Sequence, residues 1–392
     1  MVTQIQSKVQ NQIFEQPKFS YIYGMIIKQK TFIKYVLTIA FLHLLYVSDA
    51  QEKFTDDLVI GGNYQFGLLV PEYSIVSYTT TNHAQSFDLA IYKEKKGNDI
   101  YEQIFGYPEM GLALFYSTLG NSEVYGKAFA ANYFYRINLF SGRKFRIFNR
   151  MGIGLGYLTK KFDLDENHLN VAIGSSINIH YNVRFGSSFQ LTDRFSMNAG
   201  LSFDHYSNGN TGYPNIGLNY LTAYSGVNYL IGEKTERIES EIPDYERGHS
   251  FEVLASLGAK YTRSFLAKYY PTYSAAFEYN YLVGRTFNFG TGLDVFYDTS
   301  VIPQLEEAGE ETRVTDNFQT GIHLSQTIVY RNFRFSLQEG FYIGLTNRVN
   351  NKAMYSRAIL KYFVNDDFSL RFALKSHLHI LDYPEIGFGY KF

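Results

Sequence analysis

The chain has 392 residues and a formal charge of −1, from 36 basic and 37 acidic side chains, so no cationic excess marks it for nucleic acid. The absence of cysteine excludes disulfides and thiolate metal sites. Thirty-five Tyr and 34 Phe stand beside 32 Gly and 8 Pro. A spanning helix needs about 20 consecutive apolar residues, and beyond the N-terminal region no stretch comes near that, whereas a membrane barrel exposes only alternate residues to lipid and escapes the test.

In chain order, the first element is an export signal. A basic start at Lys28, Lys30 and Lys34 precedes an apolar run from Tyr35 to Val47, and Ser48-Asp49-Ala50 offers small residues where a signal peptidase reads. This predicts cleavage after Ala50 and loss of residues 1–50, the polar stretch before Met25 being an upstream start. The apolar run is too short to anchor.

From residue 51 onward, period-two alternation recurs to the end, which is the pattern of strands with one apolar and one polar face. Phe368, Leu370, Phe372 and Leu374 share one face, with Ser369, Arg371 and Lys375 opposite. About sixteen such segments begin near Leu58, Ala84, Met110, Glu123, Lys144, Val171, Ser196, Gly217, Ser250, Thr272, Phe287, Phe318, Phe333, Met354, Phe368 and Glu385. Short joins such as Arg331-Asn332 alternate with long ones such as Asp298 to Asn317, as turns and external loops do in membrane barrels. The fold expected is therefore an all-β, antiparallel transmembrane barrel. Two joins, Glu94 to Glu109 and Gly232 to Gly248, are long where a turn is expected, and the second could separate two eight-stranded units, residues 51–232 and 249–392. One large barrel is the preferred expectation, because only one C-terminal closing strand is present. That strand places Ile386, Phe388, Tyr390 and Phe392 on one face and resembles the segment recognised by the barrel-assembly machinery.

The segment from Leu201 to Leu230 differs in kind. His205 and Ser207 are two apart on a strand, so both project from one face and a hydroxyl-to-imidazole contact is available. That face also carries Met197, Ala199, Leu201 and Phe203, which makes it the lipid side, where polar groups are costly and tend to mark function. On the next strand Asn219 is in phase with Leu221, Ala223 and Val227, and on the strand before, the same parity places Ser175 beside the trio.

Here the sequence resembles the outer-membrane lipid A 3-O-deacylases, the acyloxyacyl-hydrolase-like family. The resemblance rests on His205-Tyr206-Ser207-Asn208, Pro214-Asn215 and Gly217, at the family's spacing across one external loop. It implies a serine esterase acting on lipid A of lipopolysaccharide in the outer leaflet, with Ser207 as nucleophile, His205 as general base, Asn208 and the Gly209 backbone as oxyanion donors, and Asn215 in support. It implies no cofactor. Where the family has a Glu to orient the imidazole, this chain has Asn219. An amide oxygen can hold the imidazole tautomer but cannot stabilise imidazolium by charge, so a slower enzyme is expected, or one that recruits a carboxylate from the loop holding Asp163, Asp165 and Glu166.

Other signals are weaker. Glu306, Glu307, Glu310 and Glu311 read as a solvated external loop. Lys160, Lys161, Arg263 and Lys268 should lie at the external rim as snorkelling charges, and His180 and Arg184 as packing in the lumen. The rival from another class is a passive channel or structural barrel, its second half forming a wide pore.

Overall fold

The computed structural model describes residues 54–209, 212–262, 268–349, 352–377 and 380–392. The expected signal peptide and Arg263 lie outside them. All the strands are antiparallel. The first eight are β1 (Leu58–Leu69), β2 (Ala84–Glu94), β3 (Glu109–Thr118), β4 (Lys127–Ser141), β5 (Phe145–Leu158), β6 (Ile177–Gln190), β7 (Phe195–Ser207) and β8 (Leu218–Leu230). The second eight are β9 (Gly248–Tyr261), β10 (Tyr269–Leu282), β11 (Phe287–Asp298), β12 (Phe318–Tyr330), β13 (Phe333–Tyr342), β14 (Met354–Phe363), β15 (Phe368–His377) and β16 (Ile380–Lys391).

The sixteen strands close as two eight-stranded barrels, which corrects the expectation of one large barrel. β8 returns to β1 in a ladder from Val59↔Leu230 to Leu69↔Tyr220, and β16 returns to β9 from Glu385↔Gly258 to Lys391↔Glu252. Phe392 adds two backbone bonds to Phe251, of 2.9 and 3.1 Å. The inference from a single chain end failed because closure needs only two unpaired strand edges, and an internal strand supplies one as well as a terminal strand does.

Alternation decides what each wall shows. On β7, Phe195, Met197, Leu201 and Phe203 are exposed while Ser196, Asn198, Ser202 and Asp204 are buried in the lumen. A band of that kind around a closed barrel is the surface that lipid covers. Among the described residues no helix is long and apolar enough to cross a membrane; the apolar band is carried by the strands.

Eight strands enclose little more space than side chains can fill, and here ion pairs fill it. In the first barrel Asp88 accepts from Arg184 at 2.5 Å, Asn63 at 3.0 Å and Gln65 at 3.3 Å, and His180 lies between Asn132 at 3.1 Å and Asp204 at 3.0 Å. In the second, Lys361 reaches Glu252 at 2.6 Å and Glu278 at 3.2 Å, His323 joins Asp294 at 2.6 Å, and Lys260 and Lys375 converge on Asp382 at 3.1 and 3.2 Å. Burying a charge is costly unless it is matched, which is why the acids and bases interlock. The lumen charge that suggested a solvent-filled second half is thus charge paired with itself, and a cavity of about 300 Å³ lies at its periplasmic mouth.

The two over-long joins have a purpose on the periplasmic side. Residues 95–108 carry a short helix, Ile100–Ile104, whose Glu102 accepts from the N–H groups of Gly97 and Asn98 at 3.1 Å each and from Arg331 in the β12–β13 turn at 3.1 Å. The linker joins the same seat, with Ile238 N–H donating to the Lys96 carbonyl at 2.7 Å and Arg237 paired to Glu94 at 2.9 Å.

Candidate functional site on the outer wall of the first barrel

The site lies where β7 and β8 meet their external loop. Tyr206 turns inward and stacks on His180, with centroids 4.4 Å apart and planes at 14°. Strand alternation then sends its neighbours His205 and Ser207 to the outer face, continuing the row of Leu201 and Phe203. His205 stands directly opposite Asn219 across the β7–β8 ladder.

The imidazole Nδ1 lies 2.6 Å from Asn219 Oδ1. A carbonyl oxygen can only accept, so Nδ1 carries the proton and Nε2 keeps its lone pair. Gly217 makes room for the ring: its φ is +84°, and a Cβ there would lie 2.9 Å from His205 Cε1. Both facts call for glycine.

Ser207 faces the amide end of Asn215. Its hydroxyl donates to Asn215 Oδ1 at 3.2 Å and is approached by Asn215 Nδ2 at 3.1 Å and by the N–H of Gly209 at 3.2 Å. Among the described residues these are the hydroxyl's partners, and the imidazole's is Asn219. Asn215 also accepts from the Asn208 N–H at 3.0 Å, while the Asn208 side chain donates to the Gly212 carbonyl at 2.9 Å. The loop is sewn to the β5–β6 connection: Asn215 bridges Ile173, Gly174 N–H donates to the Pro214 carbonyl at 2.6 Å, and Ile216 N–H to the Ala172 carbonyl at 2.9 Å.

Of the residues singled out from sequence, His205 and Asn219 are in direct contact, and Ser207, Asn208, Gly209 and Asn215 form one hydrogen-bonded knot beside them. Ser175 stands apart, its hydroxyl donating to Asn178 at 3.0 Å, a residue of the lumen face. Asp163 is occupied in its own loop, accepting from the N–H groups of Asp165 and Glu166 at 3.0 and 3.1 Å. Sequence reasoning missed what flanks Asn219 on its other side. Val70, just past the end of β1, donates its N–H to the Asn219 carbonyl at 2.7 Å.

The fold and this outer-wall cluster define a class: outer-membrane barrels with a polar constellation presented to lipid at the external rim. A family model for "Lipid A 3-O-deacylase (PagL)" matches residues 87–228, and one for "Acyloxyacyl hydrolase, C-terminal domain" matches residues 249–392. The chain belongs to the lipid A 3-O-deacylase family. Among solved structures it is similar to the outer membrane enzyme PagL, at 15% identity over 42% of this chain and 97% of that one with a TM-score of 0.30. It is similar also to Neisserial surface protein A (NspA), at 12% identity over 45% and 97% with a TM-score of 0.30. A porin of Rh. blastica is similar at 8% identity over 86% and 100% with a TM-score of 0.17. No match to a curated protein was found.

Proposed function

We propose that the chain removes an ester-linked acyl chain from lipid A by a serine-histidine mechanism on the lipid-facing wall of its first barrel. The observation that carries this is the 2.6 Å contact from His205 Nδ1 to Asn219 Oδ1, which leaves Nε2 basic on the same outward face as Ser207. Rotation of the Ser207 hydroxyl from Asn215 toward Nε2 forms the reactive pair, a tightening of the kind that substrate brings about in hydrolases.

In the first half-reaction Ser207 Oγ attacks the ester carbonyl while Nε2 takes its proton. The tetrahedral oxyanion collapses, the bond to the sugar oxygen breaks, and Nε2 returns the proton to that oxygen, leaving an acyl-serine. In the second, water gives a proton to Nε2 and attacks the acyl carbonyl, and the fatty acid departs as Ser207 regains its hydrogen. On this reading Asn215 Nδ2 and the Gly209 N–H, which approach Oγ at 3.1 and 3.2 Å, turn to the oxyanion as it forms, and the Asn208 N–H joins them on release from Asn215 Oδ1. A substrate whose acyl chains already lie in the outer leaflet needs a nucleophile at that depth, facing lipid.

On this reading residues 1–50 are removed on export, residues 51–232 hold the hydrolytic half, and residues 249–392 are the C-terminal half, whose last strand is handed to the barrel-assembly machinery. Mass spectrometry of lipid A from cells expressing wild type or Ser207→Ala tests it: wild type removes a fatty acyl mass and the variant does not. Identical lipid A in both, together with liposomes that swell in permeant sugars, would favour the channel. The paired charges that fill both lumens speak against that rival.

A further inference from the structure

Resting on the serine-histidine reading, we infer that Glu72, carried to the external rim on the β1–β2 connection, supplies the negative charge that the Asn219 amide lacks and steadies His205 when it becomes imidazolium. It acts as a positioning residue. When Nε2 takes the serine proton the ring gains a full positive charge, and a neutral amide oxygen offers it only a dipole. The acids near in sequence are engaged elsewhere. Asp204 points into the lumen, where it accepts from His180 at 3.0 Å, Asn182 at 2.8 Å and Ser202 at 2.9 Å, and the Asp163 carboxylate caps its own loop.

Closure of the first barrel brings a different carboxylate. The β1–β8 ladder runs to Leu69↔Tyr220, and the Val70 N–H continues it to the Asn219 carbonyl at 2.7 Å. Parity puts Val70 on the outer face beside Asn219, which itself stands opposite His205. Glu72 is two residues further, in an exposed bend past Pro71 that follows the end of β1, near enough for its carboxylate to bear electrostatically on the His205 ring. Among the described residues the other titratable groups near that ring are Tyr181, opposite it on β6, and His180 on the lumen side of the wall. Glu72 is thus the acid among these neighbours. At the lipid edge such a field is screened less than in bulk water.

The test uses the full chain in detergent micelles containing lipid A, with fatty acid release followed by mass spectrometry from acid to neutral pH. Glu72→Gln should lower the plateau of kcat/KM about five- to tenfold and move the acidic limb to lower pH by about half a unit to one unit, because imidazolium loses its counter-charge. Glu72→Asp should keep most of the activity. In an Asn219→Glu background the Glu72→Gln change should lose most of its effect, since the charge is then supplied in contact. A plateau and limb both unmoved, a plateau that falls with the limb fixed, or an undiminished effect in the Asn219→Glu background would overturn the inference. If wild type itself releases no acyl chain, the deacylase reading fails and this inference falls with it.

Discussion

Replacing Asn219 with Leu keeps the branched outline of the side chain and removes the acceptor 2.6 Å from His205 Nδ1. In the resting state the loss is one neutral hydrogen bond, but in the transition state the donor is imidazolium and the bond is charge-assisted. Hydrogen bonds to charged groups contribute about 1.5–3 kcal/mol. At about 1.4 kcal/mol for each tenfold in rate, kcat should fall roughly 10- to 150-fold. KM should stay within about twofold, because the bond strengthens only as the proton moves. The assay is fatty acid release from lipid A in mixed micelles, with folding checked by heat-modifiable gel mobility. A folded variant that loses less than about threefold in kcat, or whose defect lies wholly in KM, would refute the claim that Asn219 sets the imidazole for catalysis.

Gly217→Ala forces a Cβ to 2.9 Å from His205 Cε1 at a φ of +84°; it should cost about 1–3 kcal/mol in strain and at least roughly tenfold in kcat, and an active, equally stable variant would show that the ring has room to move. Asp88→Ala strands the Arg184 and Arg150 guanidiniums, 2.5 and 3.7 Å from its carboxylate, and should destabilise the first barrel by about 3–5 kcal/mol in urea unfolding; a loss below about 1 kcal/mol would mean that water already solvates those charges. On the periplasmic side, burial raises the Asp57 carboxyl, but hydrogen bonds from Lys96 and Thr235 outweigh it and hold the group below its ordinary value of 3.8. That stabilisation is complete above the unfolded value and disappears as pH falls through the depressed one. The difference in unfolding free energy between wild type and Asp57→Asn should therefore shrink as pH drops below about 4, and a difference that stays constant or widens would contradict the assignment.

The wall was largely legible because alternation is a local property. The segments at Leu58, Ala84, Phe287, Phe318, Phe333, Met354 and Phe368 begin where the strands do. Where the pattern misled, a connection had alternated without entering a wall. The segment expected from Glu123 is a turn in which Asn121 Oδ1 accepts from the N–H groups of Glu123 and Val124 at 2.9 and 3.1 Å, and β4 starts only at Lys127. The stretch from Val171 pairs instead with the β7–β8 loop, through Ile173 and Asn215. Closure was not legible, because which edges meet depends on shear and register summed over eight strands. The same gap hid part of the site. His205, Ser207 and Asn219 share a face by parity alone, but Val70 and Glu72 become their neighbours only once β8 returns to β1. In a sixteen-stranded ring β9 would have stood there.

Because β8 finds its partner in β1 and β16 in β9, a nick between Lys234 and Arg247 would cut the covalent thread without breaking one rung of either cylinder. Two separately expressed polypeptides, or the same two strung in reverse order, would keep every strand beside its present neighbours. What they would lose is the seat around Glu102, where the linker and Arg331 tie one cylinder to the other.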